Sequence, residues 1–556
     1  MESCLHGHSS LEPPASRGVR WARSAGFLLA LAAGAALRFH HLTGQVLTGD
    51  ELHAVNAALS RSAGEILRNW TYFGADYSVP LTAFYRLLLD RGVVLGELGF
   101  RAPLLVASLA TLAVLPRVLR PRVGRGAALV LAWLVALSPM LVLYGRIVRS
   151  YALIVLLGFA ALLAFERWWR THATGSAASY VALAALAIWL HLGAAPYVLS
   201  PFAFAAFACL RDGARLRASL PPLAALVGAV AAATLLLLLP ARESLLALAG
   251  QHGTGRLPTP GTWLELAQLQ LGSRSLAVVA ILAVAALRGA LVLARRERDL
   301  ALILACGILG QVAGLFVLAP RFLETLAVAN RYLLVALPAW LAFAAVGLAT
   351  PLRRADRRAG AFQTVAVAGL LVALFATGPF ARDAWRWSSF SHGQPFVNFL
   401  GPGDRMPPGS VPRFYRELPP GDEAIIEAPW ANVGTHAYVA YQAVHRRPVR
   451  VASVNQLHGD PRIALRNVLA YEPEALRRSG ARFVVVHLDV RREEEQVRTS
   501  ELQHRAWLEG MPELWTVLQR AGAQLATRLA EEWGPPVYSD GSLRVWDLGA
   551  SSAAPR

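Results

Sequence analysis

The sequence contains repeated apolar runs of about 20 residues, the length an α-helix needs to cross the hydrocarbon core of a bilayer. The first run covers residues 24–42, and the others follow between residues 102 and 378. Short arginine clusters separate many of these runs, and such clusters are typical of the cytoplasmic ends of membrane helices. The pattern predicts a mostly α-helical, polytopic membrane bundle of about eleven spans, with a cytoplasmic N-terminus.

The composition points to a membrane part joined to a soluble part. Hydrophobic residues make up 55% of the 556 residues and charged residues 16%. This balance is too apolar for a soluble enzyme and too polar for a chain that lies wholly in lipid. The net charge of +18 would suggest nucleic acid as the partner of a soluble protein. Here the arginines lie between apolar runs, which indicates membrane topology and lipid headgroup contact, and no nucleic acid partner.

The domain organisation follows from these patterns. We expect a cytoplasmic tail (1–23), a transmembrane domain (24–379), a linker rich in Pro, Gly and aromatic residues (380–421) and an extracytoplasmic α/β domain (422–556). The transmembrane domain would carry two outer loops, 43–101 and 241–274. In the first loop, residues 79–98 are apolar but contain Arg86, Asp90 and Arg91, which favours a helix in the outer interface over a span. The predicted location is the inner or plasma membrane.

The C-terminal part has the signals of a small mixed domain. Apolar β-type runs predict strands at 424–428, 449–454 and 482–488. The pattern from Glu494 to Ala521 predicts a helix. Asp540-Gly541 lies between two apolar runs and predicts a hairpin. The three cysteines, two of them in apolar runs, indicate neither a disulfide framework nor a cysteine metal site.

A pair of acidic residues follows the first apolar run. Asp50 and Glu51, with His53 close behind, would lie near the outer face of the membrane, where carboxylates are costly to desolvate. One interpretation is that Asp50 removes a proton from an acceptor hydroxyl. The alternative is that Asp50 only caps the helix that begins there, because Asp is a favoured N-cap residue.

The predicted topology brings further polar residues to the same membrane face. They are Arg101, Arg146, Arg149, Tyr151, His191, Arg331 and Tyr332. A guanidinium group offers a planar fork of donors that suits phosphate. Each arginine taken singly can instead extend to the interface or bind a lipid headgroup. The set as a whole favours a reaction between an acceptor and a lipid-linked phosphate.

Four segments resemble those of GT-C glycosyltransferases that use polyprenyl-phosphate sugars. They are GDELHAVNAAL after the first span, FRAPLLVASLATLAVLPRVL, LSPMLVLYGRIVRSYALIVLL, and NRYLLVALPAWLAFAAVGL in a late span. The sequence is most similar to the protein O-mannosyltransferase and aminoarabinose transferase superfamily over most of residues 24–350. The resemblance implies a GT-C-type bundle and an inverting glycosyl transfer from a polyprenyl monophosphate, which in a bacterium would be undecaprenyl phosphate.

The resemblance also implies roles for individual residues. It makes Asp50 the essential acidic residue. Glu51 beside it is a further catalytic candidate that orients Asp50 or shares a metal with it. Arg146, Arg149 and Arg331 with Tyr332 would bind the donor phosphate, and one general base would suffice because phosphate leaves as a stable anion. Other site candidates are His53, Arg101, Tyr151 and His191. The acceptor would be a protein, a lipid or a polysaccharide, and membrane lipids would surround the bundle.

Several alternatives stay open from the sequence. A divalent metal held by Asp50, Glu51, His53 and His191 is one of them, although the chain has no His-Glu-x-x-His pattern and no cofactor is certain. Glu51 can also be a solvated carboxylate in the first turn of a helix. The rival functions are a transporter or flippase of lipid-linked saccharides and a GT-C relative without catalysis. Transporters often contain internal repeats, and none is visible here.

Overall fold

A computed structural model shows a chain built mostly of α-helices. The structure describes residues 17–40, 42, 51–69, 79–93, 95, 97–210, 213–249, 258–318, 323, 326–351, 357–381, 411–419, 421, 423–429, 436–445, 447, 449–450, 472–478, 481–497 and 512–551.

The described residues of the membrane part are almost all helical. The helices are α1 (Arg17–Phe39), α2 (Glu51–Ser60), α3 (Ala63–Arg68), α4 (Val79–Asp90), α5 (Glu97–Val123), α6 (Arg125–Leu137), α7 (Pro139–Tyr144), α8 (Tyr151–Thr171), α9 (Thr174–Leu190), α10 (Ala195–Leu210), α11 (Gly213–Leu238), α12 (Arg242–Ala249), α13 (Pro260–Leu271), α14 (Leu276–Arg296), α15 (Arg298–Leu318), α16 (Leu326–Leu333), α17 (Leu337–Ala349) and α18 (Arg357–Thr377). The described connections include 3₁₀ turns at Leu192–Ala194, Leu239–Ala241 and Leu334–Ala336.

The helices confirm a multi-pass membrane protein. Within the described residues, 8 helical segments are long and apolar enough to cross a membrane. Three shorter apolar helices, Ser24–Phe39, Arg125–Leu137 and Thr174–Leu190, coincide with further predicted spans. The count of about eleven spans stays a prediction, because length and composition do not decide whether these shorter helices cross.

Glycines allow the closest helix packing in the bundle, between α14 and α17. A Cβ atom on Gly289 would lie 1.8 Å from the Phe343 carbonyl oxygen, and one on Gly347 would lie 1.8 Å from the Ala285 carbonyl oxygen. Small residues let helix backbones approach each other in lipid, where van der Waals packing drives association. In contrast, α18 is apolar but largely exposed, as expected for a helix whose side chains face lipid.

The first outer loop is helical where the structure describes it. Helix α4 confirms a helix within 79–98, although its place in the membrane interface stays a prediction. Its Val79 and Tyr85 are buried, whereas Phe84 and Leu87 are about half exposed. Helix α3 begins with a capping box, in which the Ser62 hydroxyl accepts from the Glu65 amide and the Glu65 carboxylate accepts from the Ser62 amide.

One end of the bundle contains a cluster of ion pairs, here called the clasp. Arg122 at the end of α5 donates to both carboxylate oxygens of Glu166 in α8, at 2.9 and 3.2 Å, and to Glu297 at 2.9 Å. Arg170 lies 3.3 Å from Glu166 and 3.9 Å from Glu297. Because Arg101 lies in the second turn of the same helix, about 32 Å away by helical rise, the clasp and Arg101 mark opposite ends of the bundle.

Helix α18 extends from the clasp end of the bundle to the end that contains Arg101. Near the clasp end, Gln363 donates to the carbonyls of Leu348 and Thr350, at 2.5 and 2.9 Å. At the other end, the hydroxyls of Ser273 and Thr377 lie 2.6 Å apart, and the Arg274 amide donates to the Thr377 carbonyl at 3.3 Å. The last helix of the membrane part is therefore fixed beside the turn that connects α13 to α14.

The described residues of the C-terminal part form a five-stranded sheet, with strands where the strand signals predict them. Its strands are β1 (Ile425–Ala428), β2 (Val449–Arg450), β3 (Phe483–His487), β4 (Tyr538–Ser539) and β5 (Leu543–Asp547), in the order β2-β1-β3-β5-β4. Strands β2, β1 and β3 are parallel, and β5 pairs antiparallel with β3 and β4. The predicted hairpin is present, and the Asp540 carboxylate accepts from the Ser542 and Leu543 amides in its turn.

Helices accompany the sheet, and one prediction of their bounds is wrong. They are α19 (Arg413–Glu417), α20 (His436–His445), α21 (Pro473–Arg478), α22 (Val490–Val497), α23 (Pro512–Trp533) and α24 (Leu548–Ser551). Helix α22 begins four residues before the predicted start at Glu494, and α23 continues past the predicted end at Ala521 to Trp533, while residues 498–511 lie outside the described residues. The amphipathic pattern of α23 continues past Ala521, because Leu525 and Leu529 are buried as well.

The sheet encloses a buried ionic cluster. His487 in β3 lies 2.8 Å from Glu427 through Nε2 and 2.7 Å from Glu493 through Nδ1, and the Tyr415 hydroxyl donates to Glu427 at 2.7 Å. Burial alone would lower the pKa of His487, but the carboxylates of Glu493 and Glu427 raise it to about 9. The imidazolium therefore stabilises this core at neutral pH.

Candidate active site

The turn between α7 and α8 forms the centre of the candidate site. Ser138 caps α7 through the Leu141 amide, and Pro139 occupies its first position, so that a short helix ends at Tyr144. Gly145 follows, and a Cβ atom there would lie 2.4 Å from the Ser108 hydroxyl oxygen. The close packing of the turn explains why both Arg146 and Arg149 are buried, at 3% and 5% exposure.

Glu51 joins the start of α2 to this turn. One carboxylate oxygen accepts from the Val148 amide at 2.8 Å, and the other lies 3.5 Å from the Arg101 guanidinium. The same guanidinium donates to the Leu42 carbonyl at 3.0 Å. Arg101 therefore contacts the chain just after α1 and at the start of α2, on either side of residues 43–50. The predicted base Asp50 lies outside the described residues.

Arg146 completes this first group of charges. It interacts electrostatically with Arg101 and with Glu51. Burial lowers the pKa of Arg146 to about 9, with a smaller lowering by Arg101 that Glu51 opposes. Its guanidinium therefore stays positively charged at neutral pH.

A second group lies on the other side of the turn. The Tyr151 ring is 5.3 Å from the His191 ring, and the His191 ring is 5.5 Å from the Tyr332 ring. The Arg149 guanidinium lies over Tyr151, 5.9 Å from its centroid. Arg149 and Arg331 both interact electrostatically with His191 and Tyr332. Five of the predicted residues, from three separate parts of the chain, thus meet in one place.

The lack of a side chain at Gly193 lets the rings of His191 and Tyr332 lie close to each other. His191 ends α9, and its Nδ1 accepts from the Gly193 amide at 3.0 Å. A Cβ atom on Gly193 would lie 2.6 Å from Cε1 of Tyr332 and 2.9 Å from Cε1 of His191. Glycine is required here because any side chain would separate the two rings.

The two described metal candidates do not fit a metal. The Glu51 carboxylate already accepts an amide and faces the Arg101 cation, which would repel a divalent ion. Because His191 Nδ1 accepts a backbone N–H, its ring is neutral and its proton is on Nε2, which leaves no nitrogen lone pair for a metal. No group of three or more His, Cys, Asp or Glu suited to a metal occurs in the part of the chain that the structure describes. The side chain of His53, like Asp50, lies outside the described residues.

The sequence analysis missed several residues that shape the site. Gly193 is one, and Gln270 and Gln311, which donate to the backbone beside Tyr332, are others. Gln311 gave a usable signal, since a lone glutamine in an apolar span is costly unless it has a structural or functional partner. Gln270 and Gly193 gave none, because their importance arises from contacts with residues far along the chain.

Comparison with known proteins gives structural similarities only. No protein-family model matches the chain, and no curated protein matches it. ArnT from Cupriavidus metallidurans, in a crystal structure with undecaprenyl phosphate, has 15% identity, a TM-score of 0.45 and coverage of 98% of this chain and 100% of that chain. The apo structure of the same protein gives 15% identity and a TM-score of 0.47, with 97% and 100% covered.

A further similar structure is the apo oligosaccharyltransferase of Archaeoglobus fulgidus. It has 12% identity and a TM-score of 0.42, with 87% of this chain and 72% of that chain covered. The neighbours are GT-C enzymes, the class that the sequence motifs resemble. Since all three TM-scores are below 0.5, the likeness does not establish a shared activity, which has to be inferred from this chain's own residues.

Proposed function

We propose that this protein is an inverting membrane glycosyltransferase that moves a sugar from a polyprenyl-phosphate donor to an acceptor at the extracytoplasmic face. The observation that carries the proposal is the meeting of Arg146, Arg149, Arg331 and Tyr332 around one turn, with Glu51 bound to the same turn. Arginine clusters of this kind suit a phosphate group. Asp50 is the covalent neighbour of Glu51 in the sequence.

In the proposed reaction, the Asp50 carboxylate takes the proton of the acceptor hydroxyl. The acceptor oxygen forms a bond to the anomeric carbon, and the bond from that carbon to the phosphate oxygen breaks. The electron pair leaves on the polyprenyl phosphate, whose second pKa is near ~6, so that no general acid is needed. Arg146, Arg149 and Arg331 stabilise the charge that develops on this phosphate.

Glu51 acts in this scheme as a positioning residue. Its contacts with the Val148 amide and with Arg101 hold the start of α2 against the turn that carries the arginines. A carboxylate with both oxygens engaged in this way is poorly placed to accept a proton, which favours Asp50 over Glu51 as the base. No step is assigned to a metal.

The proposed location is the inner or plasma membrane, with the N-terminus cytoplasmic and the C-terminal domain outside. The outer loop 241–274 and that domain are the proposed acceptor side, because the described turn at Ser273 and Arg274 borders the site end of α18. The acceptor would be a protein, a lipid or a polysaccharide.

The test compares Asp50→Asn with Asp90→Asn in a strain that lacks the gene. Asp90 is a matched control, because it is an exposed carboxylate that pairs with Arg86 on α4. Mass spectrometry of envelope glycans and glycolipids identifies the product that the deletion removes. We expect Asp90→Asn to restore it and Asp50→Asn to fail, since general-base catalysis contributes about 10²–10⁴-fold.

A transfer assay in detergent separates the rival functions. Purified wild type should move the identified sugar from its lipid phosphate to the acceptor in micelles, where a flippase has no second leaflet to serve. Absence of transfer under these conditions, with the product still lost from the deletion strain, would favour a transporter or a non-catalytic partner. Full activity of Asp50→Asn would remove the proposed base.

A further inference from the structure

A buried glutamine in the membrane connects two breaks in the helices of the site. Gln311 in α15 is only 1% exposed, and its amide nitrogen donates to the carbonyl of Gly193 at 2.8 Å and to the carbonyl of Tyr332 at 2.7 Å. Gly193 lies in the 3₁₀ turn before α10, and Tyr332 lies in the last turn of α16, just before another 3₁₀ turn. Carbonyls at the end of a helix have no partner within that helix.

A second glutamine binds the backbone on the other side of Arg331. Gln270 in α13 donates to the Asn330 carbonyl at 2.9 Å and contacts the Asn330 side-chain oxygen at 2.5 Å. The Asn330 side-chain nitrogen points to the Met140 sulfur in α7, at 2.9 Å, and Asn330 is fully buried. The residues immediately before and after Arg331 are therefore each held by a glutamine from a different helix.

We propose that Gln270 and Gln311 are positioning residues that fix the backbone on both sides of Arg331 and so aim its guanidinium at the donor phosphate. This inference rests on the proposed function. Helix α16 has only eight residues and is followed by a 3₁₀ turn, so contacts from neighbouring helices add to the support that its own hydrogen bonds give the backbone at Arg331. Two amides from α13 and α15 supply that support.

Gln363 provides a matched control for a purely structural role. Its amide nitrogen also donates to two backbone carbonyls, those of Leu348 and Thr350, but it does so at the clasp end of the bundle. Loss of a double hydrogen bond from glutamine to backbone can thus be compared between the two ends. Only the loss near Arg331 should alter binding of a lipid phosphate.

The experiment measures binding of undecaprenyl phosphate to the full chain in nanodiscs. The single variants are Gln311→Met, Gln270→Met and Gln363→Met, each also combined with Arg331→Gln. We expect Gln311→Met and Gln270→Met to weaken binding on the order of tenfold, and Gln363→Met to leave it unchanged. In the Arg331→Gln background, neither Gln311→Met nor Gln270→Met should weaken binding further, because residues that act through one another are not additive.

The outcomes separate this inference from the proposed function. If wild type does not bind undecaprenyl phosphate, the proposed function fails. If wild type binds and Arg331→Gln weakens binding, but the two glutamine variants bind normally or add their full effect to that of Arg331→Gln, only the positioning role fails. Gln311→Asn, whose shorter amide cannot reach both carbonyls, replaces Gln311→Met if the latter does not fold, and the same weakening is expected.

Discussion

The two ends of the membrane bundle contain clusters of charged side chains that differ in their ratio of positive to negative groups. At the clasp end, the arginines Arg122 and Arg170 meet the carboxylates of Glu166 and Glu297, so that positive and negative charges balance. At the site end, the described residues bring together four arginines and one carboxylate, Glu51. Among the described residues of this end, positive groups therefore outnumber negative ones. A balanced cluster stabilises a fold, whereas a positive excess suits an incoming anion.

The largest expected difference between the ends comes from removing one arginine at each. We expect Arg331→Gln to lower sugar transfer by about 100-fold or more, because it removes a cation that we propose stabilises the leaving phosphate. Arg122→Gln should leave transfer nearly unchanged and lower the melting temperature, because it leaves Glu166 buried without its main partner. Transfer rates and thermal unfolding of the two purified variants provide the measurement. A comparable loss of transfer in both would erase the distinction between the ends.

A smaller difference is expected for one carboxylate at each end. In Glu51→Gln, the amide oxygen can still accept from Val148, but the charge beside Arg101 is lost. We expect transfer to fall by roughly tenfold, in line with the usual effect of a lost charge-assisted contact. Glu166→Gln should instead lower the free energy of unfolding by about 1–3 kcal/mol with normal transfer. Chemical denaturation and transfer assays on both variants test this, and unchanged transfer in Glu51→Gln would argue against its positioning role.

The smallest difference in transfer between the two ends is expected when a methyl group is added to one glycine at each end. Gly193→Ala places a Cβ atom 2.6 Å from the Tyr332 ring, so the ring has to move and transfer should fall severalfold. At the start of α6, a Cβ on Gly126 would have only the Ala349 Cβ nearby, at 4.0 Å. Gly126→Ala should therefore keep its activity and its stability. Equal activity of the two variants would show that the Tyr332 position is not critical.

The sequence predicted the helices and the meeting of arginines and aromatic rings because both depend on local patterns and on which membrane face a loop occupies. It placed Arg149, Tyr151, His191 and Tyr332 on one face, and the structure brings them together. The glutamine contacts escaped prediction for a physical reason. Gln311 binds Gly193 across 118 positions of sequence, and no periodicity reports such a pair. The role of Asp50 stays a prediction, as does its alternative as a helix cap.

The attachment of α18 has a consequence for whatever the C-terminal part binds. Ser273 and Thr377 hold the end of α18 beside the turn after α13, the same helix whose Gln270 contacts Asn330 next to Arg331. Thr377 therefore lies beside α13, the helix that also contacts the residue next to Arg331. If the C-terminal part binds the acceptor, as proposed, the acceptor's effective concentration at the arginines rises, because both parts belong to one chain. Weak capture would then suffice to supply an acceptor.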